Sequence, residues 1–257
     1  MPSRRRRDPL LRDFFRTRSA AVRNLLETIE KVVDHDVAIL IRGESGSGKD
    51  HLARAIHACS NRREQPFVEI DCASIPADLF ESEIFGHEKG TFTDAHARKP
   101  GKLETAGAGT VYFDEISSLT PALQAKLLRA LQEKSFTRLG GNQSISFQAR
   151  VVSSTSADID ELLAGGTFRR DLFYRINVVT VSVPPLRERL DDLPALIGEF
   201  AGKRKQLSAD AMSLLTAHGW PGNVRELRNV IERAVLLSDG DEVTAQALPF
   251  QAQELVA

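Results

Sequence analysis

A glycine-rich segment with a single lysine, GESGSGKD, occupies residues 43–50 and follows the apolar run VAILI. Gly43, Gly46 and Gly48 leave the backbone free to wrap around an anion, because no Cβ obstructs its approach. The amides of such a loop and the N-terminus of a following helix carry positive potential, and Lys49 adds a full charge. The segment therefore predicts a loop that binds the phosphates of a nucleotide.

The residues between these glycines belong to the same predicted site. The residues of this segment assigned to nucleotide binding are Gly43, Glu44, Ser45, Gly46, Ser47, Gly48, Lys49 and Asp50. A Ser or Thr that holds Mg²⁺ usually follows the lysine of such loops. Asp50 stands there in this chain. This departure therefore affects the predicted contact to Mg²⁺ and leaves the predicted contacts to the phosphates unchanged.

A second pair of chemical groups ends an apolar strand in Val-Tyr-Phe-Asp-Glu at residues 111–115. An Asp at a strand end can bind Mg²⁺ through the water ligands of the ion. The neighbouring Glu can take a proton from an attacking water. Because this pair follows a phosphate loop, it predicts nucleotide hydrolysis, with Asp114 as the metal ligand and Glu115 as the general base.

The elements that must position these groups alternate between short apolar runs and helical stretches. The runs predicted as strands are Val37–Ile41, Phe67–Ile70, Val111–Phe113, Val151–Val152 and Ile176–Val183. Continuous apolarity is typical of strands buried on both faces, and strand–helix alternation is typical of a parallel sheet. Thr120 and Asn223 are predicted N-caps of helices.

Pro184-Pro185 ends the alternation, and helical spacing dominates afterwards. The sequence therefore predicts an α/β body followed by a small helical lid. The expected bounds are a basic disordered tail at 1–18, the body at 19–185, the lid at 186–250 and a short tail at 251–257.

Composition narrows the class of protein. The 257 residues carry a formal charge of −1, which argues against a nucleic-acid binder that relies on overall basic charge. Two cysteines cannot form a disulfide framework, and the six histidines show no ligand spacing for a metal. No apolar run approaches the length of a membrane span. We expect a cytoplasmic protein with no membrane partner.

Six stretches together resemble one family in their order and spacing. They are GESGSGKD, FGHEKGTFTDA, YFDEISSL, FRRDLFYR, PPLRER and WPGNVREL. The chain, over about residues 20–250, is similar to the central domain of bacterial enhancer-binding proteins, the AAA+ ATPases that activate sigma-54 RNA polymerase. The resemblance implies an AAA+ α/β fold with a parallel five-stranded sheet sandwiched by helices and a C-terminal helical lid. It also implies Mg-dependent ATP hydrolysis coupled to protein remodelling, with ATP and Mg²⁺ as cofactors.

The resemblance assigns roles to further residues. Arg169 and Arg175 match arginine fingers that act on the nucleotide of a neighbouring subunit, which implies a ring of copies of the chain, in this family usually a hexamer. Arg225 matches the sensor arginine of the lid. Phe92 and Thr93 lie in GTFTDA, which resembles the loop that contacts sigma-54 RNA polymerase and nearby promoter DNA.

Several residues depart from the family pattern. In the loop, Thr91 and Asp94 replace an alanine and a glycine, and the added side chains restrict its backbone. Asp71 replaces an asparagine that restrains the catalytic glutamate, and a carboxylate there repels Glu115. Ser156 ends Ser-Thr-Ser where Ala-Thr-Asn is usual, so a bridging water is expected between its hydroxyl and the γ-phosphate.

Two alternatives follow from these departures. The chain could be a nucleotide-gated interaction module with slow or no turnover, favoured by Asp71 and Ser156. It could also regulate a polymerase that lacks sigma-54, favoured by Asp94.

Thr17 also departs from the family pattern, because it replaces a glycine in the segment that covers the adenine. We expect no helix-turn-helix within the chain, since none of its segments after residue 250 provides the two further helices required.

Overall fold

The computed structural model describes residue 11 and residues 14–92, 96–202, 206–238 and 242–250. The chain divides into two compact units. The larger unit contains residues 28–43 and 49–182, and the smaller unit contains residues 1–27, 44–48 and 183–257. Within the described residues, none of the helices has both the length and the apolarity needed to cross a bilayer.

A five-stranded parallel sheet forms the centre of the larger unit. Numbered in chain order with the short strands outside the sheet, its strands are β1 (Ile39–Arg42), β2 (Phe67–Asp71), β5 (Thr110–Asp114), β8 (Arg150–Thr155) and β9 (Val179–Ser182). The order across the sheet is β2-β5-β8-β1-β9. Every residue of β8 is buried, so both faces of the sheet are covered at its centre. The predicted α/β fold with a parallel five-stranded sheet is confirmed.

One predicted strand began too early. The run 176–183 was expected to be extended throughout, but Ile176 ends a helix, Arg170–Ile176, and β9 begins at Val179. Leu172 and Ile176 are both fully buried at helical spacing, which places them on one face of that helix. Ile176 is therefore helical because it is buried on the same helix face as Leu172.

Helices follow the strands along the larger unit. They are Ala20–Val32 (which begins in the smaller unit), Lys49–Cys59, Ala77–Phe85, Lys102–Ala106, Pro121–Glu133, Ile159–Ala164 and Arg170–Ile176. Thr120 caps the helix Pro121–Glu133, since its side chain accepts a hydrogen bond from the Leu123 amide and proline occupies the first turn. This start was predicted from the Thr-Pro pair.

Two short antiparallel pairs lie beside the sheet. β3 (Gly86–His87) pairs with β4 (Lys99–Pro100), and β6 (Ser135–Thr137) pairs with β7 (Ser144–Ser146). Buried Arg138 links the two pairs, because its guanidinium binds Glu88 at 2.7 Å and Glu104 at 2.6 Å. The hydrogen bonds from Arg138 lower the pKa of Glu104.

The smaller unit is mostly helical after residue 183. Its α-helices are Leu193–Phe200, Ala209–Ala217 and Asn223–Leu237. Fully buried Trp220 lies in their common core and donates from Nε1 to the Leu215 carbonyl at 2.9 Å. Two two-residue strands, β10 (Gln206–Leu207) and β11 (Glu242–Val243), pair in parallel, an arrangement that helical spacing did not predict.

The last of these helices begins one residue away from its predicted cap. Gly222 is the N-cap, and Asn223 is the first helical residue. Glu226 accepts a hydrogen bond from the Gly222 amide at 2.8 Å, as the glutamate of a capping box does for its cap residue. The side chain of Asn223 is consequently available for contacts far away in the sequence.

Candidate functional site

Lys49, Asp114 and Glu115, here called the strand-end set, lie where strands of the larger unit end. Lys49 begins the helix Lys49–Cys59, and its side chain is only 6% exposed. Its Nζ donates to the Gly43 carbonyl at 3.0 Å and lies 3.1 Å from Oε1 of Glu115. The lysine of the glycine-rich segment and the second carboxylate of the Asp-Glu pair therefore form an ion pair.

Glu115 lies in a turn directly after β5, and both of its carboxylate oxygens have partners. It follows β5 with a φ of 49°, a left-handed conformation that costs energy for a residue other than glycine. Its Oε2 accepts a hydrogen bond from the Ser156 amide at 2.9 Å. Ser156 thus contacts the predicted base through its backbone amide, whereas the contact predicted from the sequence joins its hydroxyl to the nucleotide.

Two hydroxyl groups that are not among the predicted site residues bind Asp114. Tyr112 Oη donates to Asp114 Oδ1 at 2.8 Å, and Ser154 Oγ forms a short hydrogen bond to the same oxygen. Both side chains are fully buried. Burial raises the pKa of the Tyr112 phenol, so it remains a hydrogen-bond donor. Tyr112 and Asp114 are alternate residues of one strand, a spacing that places them on the same face.

Asp71 ends β2 and is the register partner of Asp114 at the end of β5. Its Oδ1 accepts hydrogen bonds from the amides of Ala73 at 3.0 Å and Ser74 at 3.1 Å. The thiol of Cys72 is buried nearby, and desolvation followed by the charges of the surrounding carboxylates raises its pKa. Asp71 therefore organises a turn beside the strand-end set, and the Cys72 thiol is neutral at physiological pH.

The metal-binding capacity of the described residues is limited. They contain no group of three or more His, Cys, Asp or Glu side chains arranged to hold a metal ion. A magnesium ion, however, typically takes one or two protein carboxylates and completes its shell with water and phosphate oxygens. Asp114, whose orientation is fixed by the hydroxyls of Tyr112 and Ser154, is the carboxylate that fits this role.

Residues 44–48 belong to the smaller unit, where side chains from the C-terminal part hold them. Arg187 binds the Glu44 carboxylate with two hydrogen bonds of 2.6 and 2.9 Å. Asn223 Nδ2 donates to Glu44 at 3.0 Å and to the Ser45 carbonyl at 3.1 Å. The hydrogen bonds from Arg187 and Asn223 lower the pKa of Glu44 to about 2. The predicted phosphate loop is thus braced by an ionised Glu44.

Arg225 and Arg189 bind the backbone and side chains of the same loop. Arg225 donates to Ser45 Oγ at 3.0 Å, and its amide donates to the Gly46 carbonyl at 3.3 Å. Buried Arg189 donates to the Ser47 carbonyl at 2.5 Å. Gly46 has a φ of 73°, and a Cβ there would lie 2.4 Å from the Gly222 carbonyl oxygen. Only glycine fits this close approach.

Within the smaller unit, the N-terminal segment is bound to the C-terminal part of the chain. Thr17 and Arg18, the last residues of the predicted tail, bind Asp192: the Thr17 hydroxyl donates at 2.9 Å and the Arg18 amide at 2.7 Å. Thr17, which replaces a glycine of the family pattern, therefore fixes this segment through its side chain.

Arg169 and Arg175, here called the arginine pair, have partners outside the strand-end set. The Arg169 amide donates to Gln124, while its half-exposed guanidinium binds Asp171 with bonds of 2.7 and 3.0 Å. These hydrogen bonds raise the pKa of Arg169. Arg175 donates to the Leu131 carbonyl at 2.7 Å. Tyr174, between them in the helix, is 73% exposed.

Phe92 lies at the start of the predicted contact loop and is 42% exposed. Its ring meets the buried His87 ring edge to face, with 4.8 Å between centroids. Thr91 donates to the carbonyls of Glu88 and Leu139, which attaches the loop to the β6–β7 segment. Thr93, the second predicted contact residue, and Asp94 lie outside the described residues.

Known proteins resemble this chain over most of its length. Residues 15–182 match the family described as Sigma-54 interaction domain, and residues 187–256 match the AAA+ ATPase lid domain. The regulatory protein AtoC of Escherichia coli K12 is 45% identical over 248 residues, which cover 93% of this chain and 54% of AtoC. The transcriptional regulatory protein FlbD of Caulobacter vibrioides is 46% identical over 239 residues, covering 90% of this chain and 52% of FlbD.

A solved structure of NtrX from Brucella abortus in complex with ATP has a TM-score of 0.83 and 39% identity to this chain. The match covers 93% of this chain and 59% of NtrX. The chain spans about half the length of the curated relatives it matches. The family model covers well over half of the residues, which confirms the resemblance found in the motifs. The chain belongs to the sigma-54 interaction domain family of AAA+ proteins and carries the AAA+ lid that accompanies it.

Proposed function

We propose that the chain binds and hydrolyses ATP as part of a ring, and that it uses the hydrolysis to remodel sigma-54 RNA polymerase for promoter opening. The observation that carries this proposal is the strand-end set: Lys49 lies 3.1 Å from Glu115, next to an Asp114 carboxylate fixed by two hydroxyls. A phosphate-binding cation, a metal-binding carboxylate and a proton acceptor thus occur together.

The glycine-rich segment fits nucleotide phosphates. Gly46 and Gly48 have φ values of 73° and 102°, which turn successive amides in a way that suits an anion. Ser47 Oγ is buried and has no hydrogen-bond partner among the described residues, and a phosphate oxygen would satisfy it. The related NtrX structure contains ATP. Gly43–Asp50 is therefore the proposed phosphate site, with Arg225 as the lid residue beside it.

Asp114 is the proposed ligand of Mg²⁺, either directly or through water. When bound, the ion would neutralise phosphate charge during hydrolysis. Glu115 Oε1 accepts the proton of the attacking water, while Oε2 remains on the Ser156 amide. Lys49 Nζ exchanges its contact with Glu115 for phosphate oxygens, which leaves Oε1 of Glu115 available as the base. Asp71, at the end of the adjacent strand, repels the Glu115 carboxylate through its negative charge.

The arginine pair is proposed to act on the nucleotide of a neighbouring copy. A guanidinium placed against the transferring phosphoryl group stabilises its developing charge. Arg169 is half exposed, and Tyr174 and Val178 beside the pair expose 73% and 59% of their surface. Such a surface can be covered by another subunit. A head-to-tail contact of this kind closes into a ring, and six subunits is the number implied by the family.

Phe92 and Thr93 are the proposed contacts to sigma-54, with promoter DNA close to the same loop. The loop begins from a fixed base, because Thr91 is hydrogen-bonded to Leu139 and His87 is bonded to Ser82 at 2.8 Å. A partly exposed aromatic ring on a fixed base can transmit movement of the body to a partner.

The test is ATP turnover at increasing protein concentration, with Lys49→Ala as the inactive variant and exposed Lys126→Ala as its matched control. Turnover per subunit is expected to rise with concentration in wild type and in Lys126→Ala, and to be absent in Lys49→Ala. ATP binding with no turnover at any concentration would contradict the hydrolytic function.

The coupling to sigma-54 needs a separate measurement. Phe92→Ala is expected to retain ATP turnover and to lose promoter opening by sigma-54 RNA polymerase. Leu79→Ala, which also removes a half-exposed apolar side chain of the larger unit, should retain both. Promoter opening by Phe92→Ala at the wild-type rate would show that the loop does not act on sigma-54.

A further inference from the structure

Three oxygen atoms form a closed hydrogen-bonded triangle inside the larger unit. Tyr112 Oη lies 2.8 Å from Asp114 Oδ1 and 3.0 Å from Ser154 Oγ, and Ser154 Oγ forms a short bond to the same Oδ1. Tyr112 and Ser154 belong to neighbouring strands, β5 and β8, and both are fully buried. Both hydroxyls are therefore shielded from bulk water where they meet Asp114.

The protons available to this triangle determine how Asp114 is held. Two hydroxyl hydrogens serve three oxygen–oxygen contacts, so three arrangements are possible. Both hydroxyls donate to Oδ1, or Tyr112 donates to Ser154 and Ser154 to Oδ1, or Ser154 donates to Tyr112 and Tyr112 to Oδ1. In each arrangement Oδ1 is the acceptor, and none of these bonds involves Oδ2. The carboxylate is thus fixed through one oxygen, and the other is oriented away from the triangle.

Ser154 also connects Asp114 to the predicted base. Its Oγ accepts a hydrogen bond from the Glu115 amide at 3.2 Å. That amide belongs to the left-handed residue that turns the chain after β5. The orientation of Asp114 and the position of the Glu115 backbone consequently depend on the same buried hydroxyl.

We propose that Tyr112 and Ser154 are positioning residues that fix Asp114 through Oδ1 so that Oδ2 faces the magnesium ion of the bound nucleotide. This inference rests on the proposed Mg-ATP function. Groups that hydrogen-bond a metal ligand orient it, and their loss typically lowers metal affinity by 10- to 100-fold, as a rough guide. Ser154 replaces the alanine of the family pattern, so this chain has a donor where that pattern provides none.

The chain provides a matched control in the adjacent residue. Ser153 is also fully buried on β8, but its Oγ has no hydrogen-bond partner among the described residues. Ser153→Ala and Ser154→Ala remove the same atom from consecutive positions of one strand. Tyr112→Phe likewise removes a single oxygen and retains the ring in the core. If Ser154→Ala fails to fold, Tyr112→Phe still decides the question.

The experiment measures binding of a fluorescent ATP analogue to the full chain, at increasing Mg²⁺ and separately with EDTA. For Tyr112→Phe and Ser154→Ala we expect the half-saturating Mg²⁺ concentration to rise about 10-fold, with unchanged affinity in EDTA. Ser153→Ala should match wild type. The double variant should exceed the larger single effect only slightly, because both hydroxyls act on one oxygen.

Two results would overturn the proposal. One is a Mg²⁺ requirement that is the same in Tyr112→Phe, Ser154→Ala and Ser153→Ala. The other is an equal loss of nucleotide affinity with Mg²⁺ and with EDTA, which would indicate a purely structural role. Failure of wild type to bind the analogue would instead refute the proposed function, and this inference with it, so the two failures are distinguishable.

Discussion

The strand-end set and the arginine pair lie in the same unit but are built in opposite ways. Lys49 is almost fully buried, and its ammonium contacts Glu115, whose other carboxylate oxygen is bonded to the Ser156 amide. Arg169 is half exposed, and its guanidinium binds Asp171, a carboxylate two residues away in the sequence. The strand-end set is preformed by contacts inside the unit, whereas the two arginines lie at its surface, where Arg169 binds Asp171 and Arg175 donates to the Leu131 carbonyl.

This difference indicates how the proposed activity is divided. A single chain brings together the groups proposed to bind phosphate, orient a metal and accept a proton. The arginines proposed to stabilise developing phosphoryl charge lie at the surface, so that a second copy would have to supply the nucleotide. Under this proposal turnover depends on assembly, because neither set is sufficient alone.

The largest expected effect tests whether the arginine pair acts on another subunit. Arg169→Ala and Arg175→Ala should each lower kcat by about 10³-fold, because a guanidinium at the phosphoryl group is lost. ATP affinity should change little. Arg129→Ala, which removes an exposed arginine from the helix Pro121–Glu133, serves as the control and should retain full turnover.

Mixing variants separates action within one subunit from action between subunits. Glu115→Gln supplies intact arginines, and Arg169→Ala supplies an intact base. An equal mixture should recover about a quarter of wild-type turnover, since random assembly places the intact groups at that share of head-to-tail contacts. If the mixture stays inactive under conditions where rings form, Arg169 does not act on the nucleotide of a neighbouring subunit.

The second prediction concerns the base within the strand-end set. Glu115→Gln should lower turnover by at least about 100-fold, because the amide cannot accept the proton of water. ATP binding should persist, since Lys49 is released from its ion pair and repulsion between carboxylate and phosphate disappears. Equilibrium binding and single-turnover hydrolysis measure the two effects separately. Loss of binding would mean that Glu115 mainly supports Lys49. Glu133→Gln, at an exposed position, is the control.

The third prediction concerns Asp71, which lies beside the strand-end set as the register partner of Asp114. Asp71→Asn should lower hydrolysis in the absence of sigma-54 by a few-fold. Asparagine can still accept hydrogen bonds from the Ala73 and Ser74 amides through Oδ1, and its amide can donate to Glu115 and restrain it. A rate identical to wild type would remove Asp71 from the proposed catalytic residues.

The sequence predicted those features of the fold and site that local rules control. Buried strands, the Thr120 cap and the Gly-rich segment each follow from residue types within a few positions. Asn223 could not be interpreted in this way, because its side chain binds residues 178 and 179 positions away in the sequence. A local rule assigned it to the helix cap instead.

Tyr112 and Ser154 were missed for a related reason. Tyr112 lies in a run predicted only as an apolar strand, and its spacing from Asp114 was the signal that could have identified it. That β5 lies beside β8 follows from the strand order β2-β5-β8-β1-β9, which pairs strands distant in the chain. The contact of a hydroxyl on one strand with a carboxylate on the next therefore required the topology.

The smallest expected effect tests whether the partner of Arg169 is expendable. Asp171→Ala should leave the midpoint of thermal unfolding at neutral pH close to that of wild type, because exposed ion pairs contribute little and are screened by salt. Turnover should be retained or slightly raised, since Arg169 no longer has to leave a carboxylate before it reaches the neighbouring nucleotide. A large loss of turnover would show that Asp171 orients the guanidinium, so that this surface is also preformed.

The pH dependence of the same variant gives an independent check. The hydrogen bonds from Arg169 lower the pKa of Asp171 below its ordinary value of 3.8. The stabilisation from the pair is therefore fully present above that value and is lost as the pH falls through the lowered pKa in the folded state. Any difference in thermal midpoint between wild type and Asp171→Ala should be constant from neutral pH down to about pH 5 and should shrink in stronger acid. A difference that changes near neutral pH would have to come from another titrating group, and Asp171 would then not be acting through its charge on Arg169.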